Sequence, residues 1–131
     1  MKYFTIKELC KSSTAVAKKI DNTPNFEVTN NLTQLIDNIL DPLRERFGKP
    51  IYVNSGYRCP ALNKAVNGSK TSHHMKGLAA DITGGSVAKN RILFSLIQEL
   101  DLPYDQLIDE QNYKWIHVSF SLKPRKQILH L

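Results

Sequence analysis

From Leu32 to Phe47 the chain reads LTQLIDNILDPLRERF. Leu32, Leu35, Ile36, Ile39, Leu40, Leu43 and Phe47 recur at spacings of three and four, the period of one helix face. A strand would need alternation instead. A stripe this apolar must be buried against a second layer, so the rest of the chain has to supply one. Pro42 interrupts the stripe. It has no amide N–H and its ring meets the carbonyl four residues back, so a kink or a split is expected there. Gly48 and Pro50 stop the helix. This element is structural, a buried stripe without chemistry of its own.

The candidate second layer is a set of short strands. Ile51-Tyr52-Val53 reads as one, and Ser55-Gly56-Tyr57-Arg58 turns out of it. Pro60 suits the first turn of a helix to about Val66, which Asn67-Gly68 ends. Residues 78–82 read as a second strand. Gly84-Gly85-Ser86 opens another helix, with Ile92, Leu93, Leu96, Ile97 and Leu100 on one face and Pro103 barring its continuation. Residues 106–109 and 114–120 form an antiparallel hairpin. Upstream, Thr5-Ile6-Lys7-Glu8 is a capping box that starts a short helix, and Thr23-Pro24-Asn25 is a loop. The sum is an α+β fold, a small central antiparallel sheet flanked by helices, in a single domain over residues 1–131.

Composition narrows the function classes. At 41% hydrophobic residues the chain can bury a core, and no apolar run approaches the ~18 residues of a membrane span. The start, MKYFTIKELCKSS, lacks the apolar stretch and small-residue site of a signal peptide, so synthesis in the cytoplasm without general secretory export is expected. Cys10 and Cys59 form no C-x-x-C pair and are expected to be free thiols. The net charge of +6 suits an anionic partner, nucleic acid or bacterial cell wall. The basic residues are scattered apart from Lys123, Arg125 and Lys126, and none alternate with aromatics. The charge reads as solubility and weak steering; neither nucleic acid nor a membrane is the expected partner.

Chemistry concentrates in SHHMKGLAADI, residues 72–82. His74 and Asp81 are good zinc-ligand types, yet seven extended residues would hold them ~23 Å apart. The chain must fold back, and Gly77 permits the turn. Strand alternation then puts Asp81 beside Ala79, whose small side chain leaves room for a ligand, with Leu78, Ala80 and Ile82 on the other face. In Trp115-Ile116-His117-Val118-Ser119-Phe120 the even positions are apolar, and Trp115, His117 and Ser119 face the opposite way. His74, Asp81 and His117 would make a three-ligand site with a fourth position open, the arrangement of catalytic zinc. Plainer readings are a hydrogen-bonded strand histidine and an aspartate capping a turn before Thr83.

Ser72-x-His74-x-x-Gly77-x-Ala79-x-Asp81 resembles the signature of the zinc D-Ala-D-Ala carboxypeptidase and murein endopeptidase family, which includes phage L-alanyl-D-glutamate endolysins. Ser55-Gly56-Tyr57-Arg58 with Asn63, and Asp105-Gln106 through Trp115-Ile116-His117-Val118-Ser119, resemble two further elements of that family. The likeness covers roughly residues 30–120, and the first 25 or so add nothing to it. It implies a hedgehog/DD-peptidase-like fold with one Zn2+ per chain on His74, Asp81 and His117. Arg58 would bind a substrate carboxylate or stabilise the oxyanion. Ser72 would shape the substrate pocket or serve only as a turn residue.

Many family members carry an acid three residues before the last zinc histidine. Here that position is Lys114, which cannot begin as a carboxylate base. The general base is assigned to Glu110, with Asp109 as competitor. His73 and His130 match nothing in the family, and Cys59 is either a packed side chain or a thiol near the cleft. The implied function is a monomeric zinc peptidase cutting the peptidoglycan stem, of phage or prophage type and released to the wall with phage help. The alternative is an inactive zinc-containing wall-binding module.

Overall fold

In the computed structural model, which describes residues 1–131, the stripe at 32–47 underlies the whole core. Leu32, Leu35, Ile36, Ile39, Leu40 and Leu43 are fully buried, and Phe47 packs at the margin. Each such aliphatic side chain contributes ~1.5–3 kcal/mol on burial. The helix does not break at Pro42. It runs as α3 (Phe26–Leu35), a π-helical turn (Ile36–Leu40) and α4 (Asp41–Phe47), with right-handed backbone angles at both junctions. The π turn widens the helix just ahead of the proline, where the ring would press on the Asn38 carbonyl.

The N-terminal segment is fastened to this helix. Thr5 caps α1 (Ile6–Cys10), its hydroxyl accepting from the Glu8 amide, and Ser12 caps α2 (Ser13–Ala17), an element that periodicity does not reveal. Phe4 and Leu9 are buried in the core, and the Asp41 carboxylate accepts from the amides of Lys2, Tyr3 and Phe4.

The second layer is a five-stranded sheet. Its members are β1 (Tyr52–Ser55), β2 (Ala79–Thr83), β3 (Tyr104–Glu110), β4 (Trp115–Phe120) and β5 (Gln127–His130), in the order β1-β2-β4-β3-β5. The first four pair antiparallel, as expected. The fifth departs from a purely antiparallel sheet: it runs parallel to β3, with Gln106 opposite Gln127 and Asp109 opposite His130. After β4 the chain crosses the starting end of β3. There Arg125 clasps the Asp105 carboxylate and Lys126 pairs with Asp101, which sets β5 alongside.

Two helices complete the architecture, α5 (Pro60–Ala65) and α6 (Val87–Glu99). The inward face of α6 carries Asn90, Leu93, Phe94 and Ile97; Ile92, expected on that face, is exposed. The spacing 90, 93, 94, 97 is the true helical stripe, and Ile92 lies off it. The sheet has two unlike faces. Ala80, Ile82, Leu107, Ile116, Val118 and Phe120 belong to the core, whereas Asp81, Glu110, Trp115 and His117 line an open cleft.

Candidate metal centre and its cleft

The fold-back between His74 and Asp81 is a single 3-10 turn, His73–Lys76. Ser72 caps it, its hydroxyl accepting from the His74 amide at 3.1 Å, and Gly77 ends it at φ 74, where a side chain would be strained. β2 then delivers Asp81 directly opposite His117 of β4. His74 Nε2 and His117 Nδ1 lie 3.3 and 3.0 Å from Asp81 Oδ1, and one ligand atom from each of the three residues falls within 4.8 Å of the others. Two ligands each ~2.0–2.1 Å from one tetrahedral ion are ~3.3 Å apart, so the trio fits a single cation.

The hydrogen bonding points the same way. His74 Nδ1 donates to the Gly56 carbonyl at 2.7 Å, which leaves Nε2 as the lone-pair nitrogen of a neutral ring. That nitrogen is buried and has no hydrogen-bond partner. A lone pair aimed at a carboxylate in a buried site is unfavourable unless a cation lies between them. Burial pushes the Asp81 carboxyl up, but the hydrogen bond from His117 and the imidazoles beside it outweigh that and hold the group well below the usual carboxylate range. It stands ready as an anion.

Around the trio is a cleft of about 770 Å³. Arg58 reaches it from the turn after β1. Its Nε donates to Ser55 Oγ and its Nη1 to Asn63 Oδ1, both at 3.1 Å, and Nη2 lies 3.8 Å from Asp81 Oδ2. Burial lowers the Arg58 pKa, while the Asp81 charge works against that. Glu110, at the end of β3, also lines the cleft; burial first, then the negative charge of Asp81, raises its pKa. Asp109 points to the opposite side of β3, where it is buried and paired with His130. Strand parity alone separates these two neighbours. Lys114, in the hairpin turn, is outside the cleft lining, whereas Ser72, His73 and Trp115 are part of it. Ala79 is fully buried and lines no part of the cleft, so the room around Asp81 is not of its making. The Cys59 thiol accepts from the Leu62 amide and caps α5.

A family model described as peptidase M15 matches residues 2–119. The chain belongs to the peptidase M15 family. A stretch of 48 residues is also 46% identical to the zinc D-Ala-D-Ala carboxypeptidase of Streptomyces albus G, covering 36% of this chain and 19% of that protein. The match therefore spans about a fifth of that relative's length.

The M15 match begins at residue 2, so the first 25 residues are part of the family's domain, contrary to the narrower span the motifs suggest. The structure gives the reason. The Leu9 carbonyl accepts from the Tyr57 amide at 2.7 Å, and a Cβ on Gly56 would lie 2.2 Å from that carbonyl oxygen. The N-terminal helix thus sets the path of the loop that orients His74.

Asn90 is a second supporting residue that motif reading missed. Buried in α6, it accepts from Thr83 Oγ1 and the Gly84 amide and donates to the carbonyls of Tyr113 and Lys114. It joins the end of β2 to the hairpin turn between Glu110 and Trp115. The available signal was an asparagine at an apolar stripe position of a helix.

Proposed function

We propose that this M15 protein is a zinc-dependent peptidase that hydrolyses a peptide bond of the bacterial peptidoglycan stem. The observation that carries the reading is the convergence of His74 Nε2, Asp81 and His117 Nδ1 in a cleft that Arg58 and Glu110 also line. These three residues would hold the metal. Bound zinc supplies a Lewis acid that polarises a carbonyl and makes water a better nucleophile near neutral pH.

The remaining work belongs to the chain. Glu110 accepts the proton of the attacking water and returns it to the leaving amine. Arg58, already fixed by Ser55 and Asn63, directs its guanidinium at the charge that develops on the carbonyl oxygen. Ser72 holds the turn that presents His74. Among the charged residues lining the cleft, Arg58, Lys76 and Arg125 outnumber Asp81 and Glu110, which favours a substrate carrying carboxylates. The lysine at 114 does not deprive the cleft of a carboxylate, because Glu110 supplies one from β3. That favours turnover over a binding role. The resemblance of the Ser72–Asp81 motif to phage endolysins extends the reading to a lytic enzyme that reaches the wall from inside an infected cell.

The test is digestion of purified peptidoglycan by the zinc-loaded chain, with new amino termini as the readout. Release of stem fragments by the wild type and a fall of ~10²–10⁴ in rate for Glu110→Gln are expected. Zinc-loaded protein that binds muropeptides without releasing any fragment would favour the binding-module alternative.

A further inference from the structure

β1 is an edge of the sheet, since β2 pairs with only one of its sides. No backbone hydrogen bond outside the regular elements involves residues 52–55. The outward amide and carbonyl groups of β1 therefore have no partner within the protein. Exposed edges of this kind are normally covered or blunted, because they offer a template for another strand. Here the edge faces a cavity of about 620 Å³, within the ~300–1,000 Å³ range of ligand clefts. Tyr52, Val53, Asn54 and Ser55 line it in unbroken succession. Alternate residues of a strand point to opposite faces, so a cavity that touches four in a row lies along the strand's edge. Lys11 and Ser12, between α1 and α2, and Ser13 and Thr14, at the start of α2, line it as well.

The cavity also leads to the chemistry. It shares Arg58 and Asp81 with the cleft of the metal centre. Ser55, the last residue of β1, stands opposite Asp81, and its hydroxyl accepts from Arg58 Nε. An irregularity in register between Val53 and Ser55 turns that last residue toward the arginine. A segment laid along the β1 edge would run directly to the proposed site of cleavage.

We propose that the free edge of β1 binds an extended peptide segment of the substrate as an added strand, on one side of the cleaved bond. This rests on the peptidase reading of the adjoining centre. Main-chain pairing supplies the affinity and fixes the direction of the peptide, while the cavity's hydroxyl and amide side chains tolerate polar substituents. The substrate class is accordingly a peptide several residues long, preferred over a free dipeptide.

The test uses the zinc-loaded full chain and a synthetic stem peptide ending in D-Ala-D-Ala. In a matched set of peptides, each amide outside the cleaved bond is replaced in turn by an ester, which removes one donor. Esters at alternate positions should lower kcat/KM about three- to tenfold, the range expected for one lost hydrogen bond, and those between should change it little. In parallel, the stem peptide should slow amide hydrogen exchange at residues 52–55 of the zinc-loaded Glu110→Gln chain. Cleavage with a flat ester scan and unchanged exchange in β1 overturns the added strand and leaves the peptidase reading intact. Slowed exchange in β1 without cleavage by the wild type supports the strand and sinks the peptidase reading. Neither cleavage nor slowed exchange overturns both.

Discussion

At the scale of single residues, the metal centre depends on residues that are not ligands. Gly56 is the clearest. Its carbonyl orients His74, and the Leu9 carbonyl leaves no room for a Cβ. Gly56→Ala should cost ~1–3 kcal/mol through forced backbone movement and should weaken zinc binding, as read by thermal melts and metal titration. His117→Ala should remove zinc outright: metal analysis is expected to give near one zinc per chain in the wild type and little in the variant. Equal metal in both would exclude residue 117 as a ligand. Much of this geometry was legible in the sequence, because alternation in β2 and β4 fixes which way Asp81 and His117 point. Which of Glu110 and Asp109 faces the cleft can also be worked out, once Leu107 is placed in the core, since Asp109 must share its face. The roles of Asn90 and Gly56 were not legible, because the contacts that define them, with Tyr113 and Lys114 and with Leu9 and His74, are made across the fold.

At the scale of elements, legibility followed periodicity. The helix at 26–47 and the β3–β4 hairpin announce themselves through spacing. The π turn does not, because the apolar positions at 32–43 fit an ordinary helix equally well; only Pro42 signals a disturbance. Leu35→Ala, in the middle of that stripe, should cost ~2–5 kcal/mol and lower the urea midpoint. The strand β5 was illegible for another reason. Gln127–His130 is mostly exposed, and its place is set by long-range ion pairs rather than by an apolar pattern. That tether has a pH signature. Hydrogen bonds from Arg125 hold the Asp105 carboxyl below the usual carboxylate range, against the opposing effect of burial. A depressed folded pKa stabilises the protein above the unfolded value of ~3.9, and the contribution is lost as pH falls through the folded value. Asp105→Asn should therefore be less stable near neutrality and lose less on acidification, so that melts at pH 7 and pH 3 lie closer together than in the wild type.

At the scale of the whole molecule, the metal ion ties distant parts of the chain together, since its proposed ligands come from the 3-10 turn and two strands. A ligand that binds only the folded state at a free concentration of ~100 Kd stabilises it by ~2.7 kcal/mol. Chelation should lower the melting temperature of the wild type accordingly and leave that of His117→Ala almost unchanged. An equal effect on both would place the ion elsewhere. The sheet that organises this centre keeps its oily side and its chemical side on alternate residues of the same strands. A slip of one position in β2 or β4 would exchange the two sets wholesale, sending Asp81 and His117 into the core and Ile82 and Ile116 into water. A misregistered chain cannot keep a tidy interior while losing only its chemistry; both fail together. The hydrophobic interior thus acts as a proofreader for the cleft side, and a molecule that passes the test of folding has already aligned its proposed metal ligands.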